Sequence, residues 1–185
     1  MLDRQLMLDL TVGQELTRQA RLQPPHKLVR FHPAHLQMMA MREHEQQTMV
    51  ALGRTQEAVE AVMANGLLQL TGCDADGPHL CWGVVPTAEP TVAEAWLMAS
   101  ASLMTRAAWP LSRGARRVLP FVADLLHVER LDILVRRDFL AGAQWAKWLY
   151  FKSTGEVIWP MGLSLAYEKW SRTFTEKEEH DGRSL

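Results

Sequence analysis

The chain has 185 residues, of which 48% are hydrophobic and 22% are charged, and its formal net charge is −1. These values are typical of one globular domain with room for a core, and they exclude a fibrous or disordered protein. The near-zero charge gives no global attraction to nucleic acid or to an anionic membrane surface. No apolar run reaches the roughly 18 residues that a membrane-spanning helix needs, so no span is predicted.

The N-terminal residues are predicted to form a helix that ends at a proline pair. Apolar residues recur at near-helical spacing before Pro24-Pro25, and proline both lacks an N–H and disfavours helix before it. We expect residues 1–25 to be a helical arm, residues 26–170 the main domain, and residues 171–185 a charged tail. Two roles stay open for the arm: packing against the domain, or binding a partner protein.

A strand and two helices are predicted next. Residues 26–31 favour a strand, and residues 36–49 and 56–64 favour helices because their apolar residues form stripes. Three histidines lie in or near the first of these helices: His32, His35 and His44. None of their spacings is that of a helical zinc site, and no Cys or carboxylate cluster completes a ligand set, so no metal is predicted.

A hairpin and a central strand are predicted in the middle of the chain. Strands over 67–71 and 79–85 flank the run Asp74-Ala75-Asp76-Gly77-Pro78, which is dense in turn-forming residues. The nearly continuous apolar run 93–99 is typical of a strand that is buried on both faces.

A helix, a strand and a second helix follow. The first helix contains Val118–Leu126, and residues 131–135 favour the strand. We expect Asp138 to cap the second helix, because a carboxylate accepts well from the first N–H groups of a helix. One face of that helix is predicted to contain four residues: Phe139, Ala143, Ala146 and Tyr150.

Two last strands, over 152–159 and 163–170, complete the order strand, two helices, three strands, helix, strand, helix, two strands. This order resembles that of the GCN5-related N-acetyltransferases (GNAT). The resemblance implies an α+β fold, with a central mixed, mostly antiparallel twisted sheet flanked by helices. Here an N-terminal helical arm is added to it.

The second helix carries the sharper resemblance. In the GNAT family its end reads as an aromatic residue, a short gap and Gly-Phe, and the run from Gly142 to Phe151 is similar, with Tyr150 in place of the glycine. The pair Trp145 and Trp148 is similar to a narrower group. These are acetyltransferase-like proteins, some named internal virion proteins, of short-tailed, podovirus-type bacteriophages.

The resemblance implies an acetyl-coenzyme A site where the fourth and fifth strands separate. A backbone N–H of the fourth strand would polarise the thioester, and N–H groups at the start of the next helix would hold the pyrophosphate. The usual Gln/Arg-x-x-Gly-x-Gly/Ala signature is missing, and Ser112-Arg113-Gly114-Ala115-Arg116-Arg117 stands in its place. A solvated basic face is the alternative for that run. The cofactor-binding candidates are Leu97, Met98, Ala99, Arg113, Gly114 and Ala115.

The catalytic residues implied by the resemblance are poorly matched. The family's general acid is a tyrosine on the second helix, and that position falls on Ala146 or, with a one-residue slip, on Trp145. Neither side chain donates a proton usefully. Glu94 or Asp132, within the two separating strands, are candidates for the general base, although each suits a structural hydrogen bond as well. Tyr150 is a third weak candidate, and we expect it to pack in the core.

Two functions are therefore weighed. The first is a virion-associated or assembly protein whose catalytic signature is incomplete and which needs no cofactor. It would act by protein–protein contacts through its arm, either with other virion proteins or with a second copy of itself. The second is an active N-acyltransferase that moves an acetyl group from acetyl-coenzyme A to an amine of a host or phage protein. We expect activity to be lost rather than kept, and a location in the virion or the cytoplasm of the infected host. Nucleic-acid contact is disfavoured.

Overall fold

The computed structural model describes residues 4–43, 46, 65–101, 103, 108–159 and 165–174. Its helices are α1 (Arg4–Gln19), α2 (Pro33–Met38), α3 (Ala108–Leu125) and α4 (Leu140–Trp148). Its strands are β1 (Lys27–Arg30), β2 (Leu68–Asp74), β3 (Gly77–Pro86), β4 (Val92–Ala99), β5 (Arg130–Arg136), β6 (Lys152–Ile158) and β7 (Tyr167–Thr173).

The seven strands form one sheet in the order β1-β2-β3-β4-β5-β7-β6. All neighbouring pairs are antiparallel except β4 and β5, which run parallel. Parallel neighbours need a crossover connection, and α3 supplies it. The α+β fold with a mixed, mostly antiparallel sheet is thereby confirmed.

The two faces of the sheet have separate cores, because successive side chains of a strand point to opposite sides. On the face that we call face A, helices α1, α3 and α4 pack over the strands. The buried residues of this core include Leu16, Leu70, Val84, Ala93, Val118, Val122, Leu131, Ala146 and Trp170. On face B, α2 packs through Leu36 onto Phe31, Cys81 and Met98.

Helix α1 packs against the domain in its second half. Leu16 is fully buried and Ala20 is 3% exposed, and both belong to the core of face A. Gly114 of α3 lies so close that a Cβ added to it would be 3.2 Å from the Cβ of Ala20. Two roles were left open for the arm, packing against the domain or binding a partner. The second half of α1 packs against the domain. The proposed domain limits stay a prediction.

The helix expected over residues 36–49 is interrupted in its described part, because residues 39–42 are not helical, whereas Leu36–Met38, Glu43 and Gln46 are. The helix ends at Met38, because Met39 is extended (φ −83°, ψ 130°), and Met41 pairs with Ser100 instead. The predicted helix over 56–64 and the turn between the last two strands lie outside the described residues.

Asp138 does not cap α4, so that prediction is also wrong. The N-cap residue is Phe139, which makes no side-chain capping bond. The Asp138 carboxylate instead accepts from the Arg136 guanidinium at 2.8 and 2.6 Å. Asp138 stands one residue before the N-cap, and its carboxylate is engaged by the preceding strand instead.

Gly142 is needed at the start of α4 because the ring of Phe139 lies against it. A Cβ at this position would be 2.7 Å from Phe139 Cε1. We expect Gly142→Ala to lower the free energy of unfolding by about 1–2 kcal/mol, although alanine favours helix by about 1 kcal/mol. In a Phe139→Ala background the same change should stabilise the protein. Urea denaturation of the four proteins measures this, and destabilisation in both backgrounds would contradict it.

Candidate functional site

The β4–β5 pair separates part-way along its length. Val92–Ala95 pair with Arg130–Ile133, and the described residues beyond them form no further β4–β5 pairs. From there β4 stays paired only with β3, and β5 only with β7. The two strands therefore diverge and leave a V-shaped cleft that widens towards their carboxyl ends.

Backbone donors of β4 line one side of this cleft. Ser100 donates its N–H to the carbonyl of His79 on β3 at 2.8 Å. Because the direction of the N–H groups alternates along a strand, those of Leu97 and Ala99 point towards β5. Leu97 is 37% exposed, whereas Met98 and Ala99 are buried. The three predicted residues thus lie on the cleft, and their role in binding a coenzyme stays a prediction.

The run Ser112–Arg117 does not form the start of a helix, contrary to expectation. Arg113, Gly114 and Ala115 lie within α3, which already includes Ala108. Only the first turn of a helix has N–H groups without a helical partner, so the backbone of these three residues has no donors for a phosphate. Gly114 instead faces α1. Any anion held by this run would have to contact its arginine side chains.

The position that the resemblance assigns to the general acid is occupied by packing residues. Ala146 is fully buried in the core of face A. Trp145 is half-buried, and its Nε1–H donates to Ser112 Oγ at 2.9 Å, which joins α4 to α3. An indole N–H is a donor only and does not act as an acid at neutral pH. Neither residue can therefore protonate a departing thiolate.

Tyr150 lies outside both the core and the cleft, so the expectation of burial is wrong. It is 49% exposed and has a φ of 67°. The guanidinium groups of Arg116 and Arg172 lie 4.1 and 5.3 Å from the centre of its ring. Tyr150 follows the C-terminal end of α4, whereas the cleft opens at the other end, where β5 leads into that helix. It is not placed to act on a group in the cleft.

Asp132 is the centre of a polar cluster on face B. It is 3% exposed, and its carboxylate accepts from Ser171 Oγ at 2.6 Å and from Arg130 Nε at 3.2 Å. Lys169 Nζ lies 3.2 Å from its other oxygen, and this carboxylate raises the pKa of Lys169. Glu94, half-buried on β4, is its register partner. With both oxygens engaged, Asp132 suits a structural role better than that of a base.

His35 joins α2 to the sheet. Its Nδ1 accepts the N–H of His32 at 3.2 Å and lies 2.9 Å from Thr71 Oγ1. Accepting at Nδ1 requires a neutral ring, and burial, with a smaller effect of His32, lowers the pKa of His35 below its ordinary value. The folded pKa is thus below the unfolded one of about 6.5, so this contribution to stability is complete above that pH and is lost as the pH falls.

We therefore expect the wild type to lose more stability than His35→Asn when the pH is lowered from about 7.5 to about 5.5. The asparagine keeps a polar group at this position but does not titrate. Urea denaturation at a series of pH values measures the difference, and equal pH slopes for the two proteins would contradict the assignment.

Residues 39–42 cross the wide end of the cleft, and sequence reasoning missed them. Met41 forms an antiparallel bridge with Ser100, and the N–H of Ala101 donates to the carbonyl of Ala40 at 2.8 Å. The Arg42 guanidinium lies 5.2 Å from the centre of the Phe139 ring. We call Met39–Arg42 the strap. No glycine or proline interrupts this run, so nothing in the sequence marks the break in the helix.

Among the described residues, no group of three His, Cys, Asp or Glu side chains could hold a metal ion. None of the described helices is long and apolar enough to cross a membrane.

Comparison with known proteins identifies the fold. No protein-family model and no curated protein matches the chain in sequence. Solved structures match it in three dimensions at low identity. A GNAT-family acetyltransferase from Bacillus anthracis has a TM-score of 0.60 and 7% identity, with 80% of this chain and 95% of that chain covered. An N-acetyltransferase from Staphylococcus aureus Mu50 has a TM-score of 0.58 and 12% identity, with 81% and 99% covered.

A third structure, an acetyltransferase from Bacillus subtilis, was solved in complex with CoA. Its TM-score is 0.57 at 11% identity, and the match covers 81% of this chain and 98% of that chain. Identities this low establish the fold alone. The strand order, the parallel β4–β5 pair that opens into a cleft, and these matches together show that the chain has the fold of the GNAT acetyltransferases.

Proposed function

We propose that this protein is a virion-associated or assembly protein of a bacteriophage, which keeps the GNAT fold for protein–protein contacts and has lost acetyl transfer. The observation that carries the proposal is that no proton donor stands at the position on α4 that the resemblance assigns to the general acid. There Ala146 is fully buried and Trp145 donates to Ser112. The phage setting rests on the resemblance of Trp145 and Trp148 to the virion group. The proposed location is the virion or the cytoplasm of the infected host cell.

The other candidate catalytic groups support the loss of activity. Asp132 is held by three donors, Tyr150 lies away from the cleft, and Ser112–Arg117 has no helix-terminal N–H groups to offer. General acid, general base and phosphate contacts are separate requirements of acetyl transfer. The residues at the acid and phosphate positions do not meet these requirements, and of the two candidate bases Asp132 is already engaged by its donors.

Three large apolar side chains remain exposed and are candidates for contact with a partner. Met38 is 67%, Leu140 is 73% and Trp159 is 63% exposed. Methionine and tryptophan are enriched in protein interfaces. Because Leu16 and Ala20 are buried within the domain, the apolar side of this part of the arm is already covered, and we place the contact on the three exposed residues.

Mass spectrometry of purified phage particles tests the proposal. We expect a fixed number of copies per particle, and a large loss of copies when Leu140 and Trp159 are both replaced by glutamate. Leu125→Glu is the matched control, since Leu125 is 43% exposed at the C-terminal end of α3. Absence from particles, or transfer of an acetyl group from acetyl-coenzyme A to an amine by the wild type, would overturn the proposal.

An active N-acyltransferase is the second candidate, and one observation favours it. The β4–β5 cleft is present, and the N–H groups of Leu97 and Ala99 point into it. Acetyl-coenzyme A would be its cofactor. Isothermal titration of the wild type should then show micromolar binding that is weakened by charge reversal at Arg113 and Arg116. Charge reversal at Arg18, an exposed residue of α1, should leave that binding unchanged.

A further inference from the structure

We infer that the strap closes the coenzyme cleft, so that acetyl-coenzyme A can enter it only when Ala40 and Met41 leave the edge of β4. The inference rests on the proposed function, in which the protein keeps the cleft of the acetyltransferase fold but does not transfer acetyl groups. It adds a physical reason why the wild type would bind the coenzyme weakly.

The strap occupies the edge of β4 inside the cleft. The N–H of Ser100 is used on the β3 side, where it donates to His79. The antiparallel bridge from Met41 to Ser100 must therefore lie on the opposite side, which faces β5. The bond from Ala101 N–H to the Ala40 carbonyl, at 2.8 Å, lies on that same side. The strap is thus a very short extra strand within the cleft.

Contacts at its other end carry the strap across to β5. Arg42 lies over Phe139, which directly follows the turn after β5. Gln46 Nε2 donates to the Met41 carbonyl at 3.1 Å. Met39 anchors the strap in the core of face B, with its Sδ 3.5 Å from Cys81 Sγ. The wide end of the cleft is therefore bridged from one strand to the other.

A coenzyme would compete for the same backbone groups. The pantetheine arm of acetyl-coenzyme A is an extended chain with two amides, and such chains bind a strand edge by adding to it as a strand does. An arm that runs from Leu97–Ala99 towards α3 must pass Ser100 and Ala101. The single N–H of Ala101 is already donated to Ala40, so the strap and the arm exclude each other.

The strap can leave without unfolding the domain. Ala40 is exposed, and Met41 and Arg42 are half-buried, whereas Met39 is 6% exposed and belongs to the core. Beyond Met39 its attachments include the bond from Ala101 N–H, the bond from Gln46 Nε2 and the contact of Arg42 with Phe139. The Met41 side chain also packs against the core of face B. The buried residues of that core all lie outside Ala40–Arg42, so release of these three residues removes only the half-buried side chain of Met41 from it.

A reversible lock tests the inference. The bridge between Met41 and Ser100 is a non-hydrogen-bonded antiparallel pair, whose Cα atoms are about 4.5 Å apart, within the range of a disulfide. We would therefore prepare Met41→Cys/Ser100→Cys in a Cys73→Ser background. Burial raises the pKa of the remaining Cys81 thiol to about 12, so it will not exchange. Isothermal titration with acetyl-coenzyme A is then done on the oxidised and reduced forms, with circular dichroism to verify the fold.

A second variant loosens the strap instead of locking it. Arg42→Ala removes the contact with Phe139 and should tighten acetyl-coenzyme A binding about fivefold. Arg18→Ala, a matched change on the surface of α1, should leave the affinity at its wild-type value. Phe139→Ala should act in the same direction as Arg42→Ala.

The expected result is binding by the reduced double-cysteine protein, at least tenfold weaker binding by the oxidised form, and tighter binding by Arg42→Ala. Equal dissociation constants for the oxidised and reduced forms would overturn the inference. So would a lack of binding in every form, Arg42→Ala included, because the strap would then not be what excludes the coenzyme. Acetyl transfer by the wild type would overturn the proposed function, and the locked pair would still decide the role of the strap.

Discussion

Replacing Asp132 with alanine is expected to lower the free energy of unfolding by about 3 kcal/mol. The carboxylate is 3% exposed and receives hydrogen bonds or ion pairs from Arg130, Lys169 and Ser171, at 2.6–3.2 Å. Removing it takes away the buried charge between Arg130 and Lys169. It leaves them to the exposed carboxylates of Glu89 and Glu156, which lie 3.2 and 3.7 Å away. Such a loss costs far more than the pair itself contributes, because the remaining partners stay partly desolvated.

Urea denaturation followed by circular dichroism measures this change. Asp138→Ala is the matched control, since its carboxylate also pairs with an arginine, Arg136, but is 57% exposed. An exposed pair contributes about 0–1 kcal/mol. If both variants lost the same small amount of stability, Asp132 would not be a structural centre, and its role as a general base would have to be reconsidered.

Gly83→Ala is the second change with a large expected effect, again about 3 kcal/mol of destabilisation. A Cβ at this position on β3 would lie 2.7 Å from Trp96 Nε1 and 2.8 Å from the carbonyl oxygen of Leu68. The first contact is with a bulky ring held against Phe31, and the second is with the backbone of the neighbouring strand. Neither can move without disturbing the sheet beside the cleft.

Gly155→Ala gives the comparison for this prediction. No atom lies within 4 Å of a Cβ added at Gly155, so its cost comes only from the left-handed conformation (φ 77°) and should be about 1 kcal/mol. Denaturation midpoints, compared at equal m-values, separate the cost of the steric contacts at Gly83 from the cost of the backbone conformation at Gly155. Trp96→Leu should recover part of the loss in the Gly83→Ala background, and only part, because the Leu68 carbonyl remains in contact. A Gly83→Ala protein as stable as Gly155→Ala would refute the packing argument.

Under the proposed function, the strap and the residues at the general-acid position bear on different steps of the chemistry. Acetyl transfer needs a bound thioester and a proton for the departing sulfur. We propose that the strap bears on the first requirement, and that Trp145 and Ala146 bear on the second. Loosening the strap should therefore improve binding of acetyl-coenzyme A without creating a transferase.

The sequence by itself determined the order of the elements and the residues at the acid position. The hairpin is an example, because Asp74 accepts from the N–H of Asp76 and Gly77 has a φ of 120°, as the turn-forming run predicts. The absence of a tyrosine at Ala146 or Trp145, where the resemblance places the acid, is likewise visible without coordinates. Such features depend on spacing and turn chemistry over a few residues, which a local pattern reports.

Only the tertiary structure decided which residues that are distant in sequence contact each other. The pairing of Met41 with Ser100 depends on an edge that exists only because β4 and β5 diverge. Asp138 pairs with Arg136 instead of capping α4. Tyr150 is exposed, and its ring lies near two arginines. Each of these outcomes depends on partners that the folded sheet brings together. The apolar stripe of residues 36–49 indicates a continuous helix and does not predict the pairing of Met41 with Ser100.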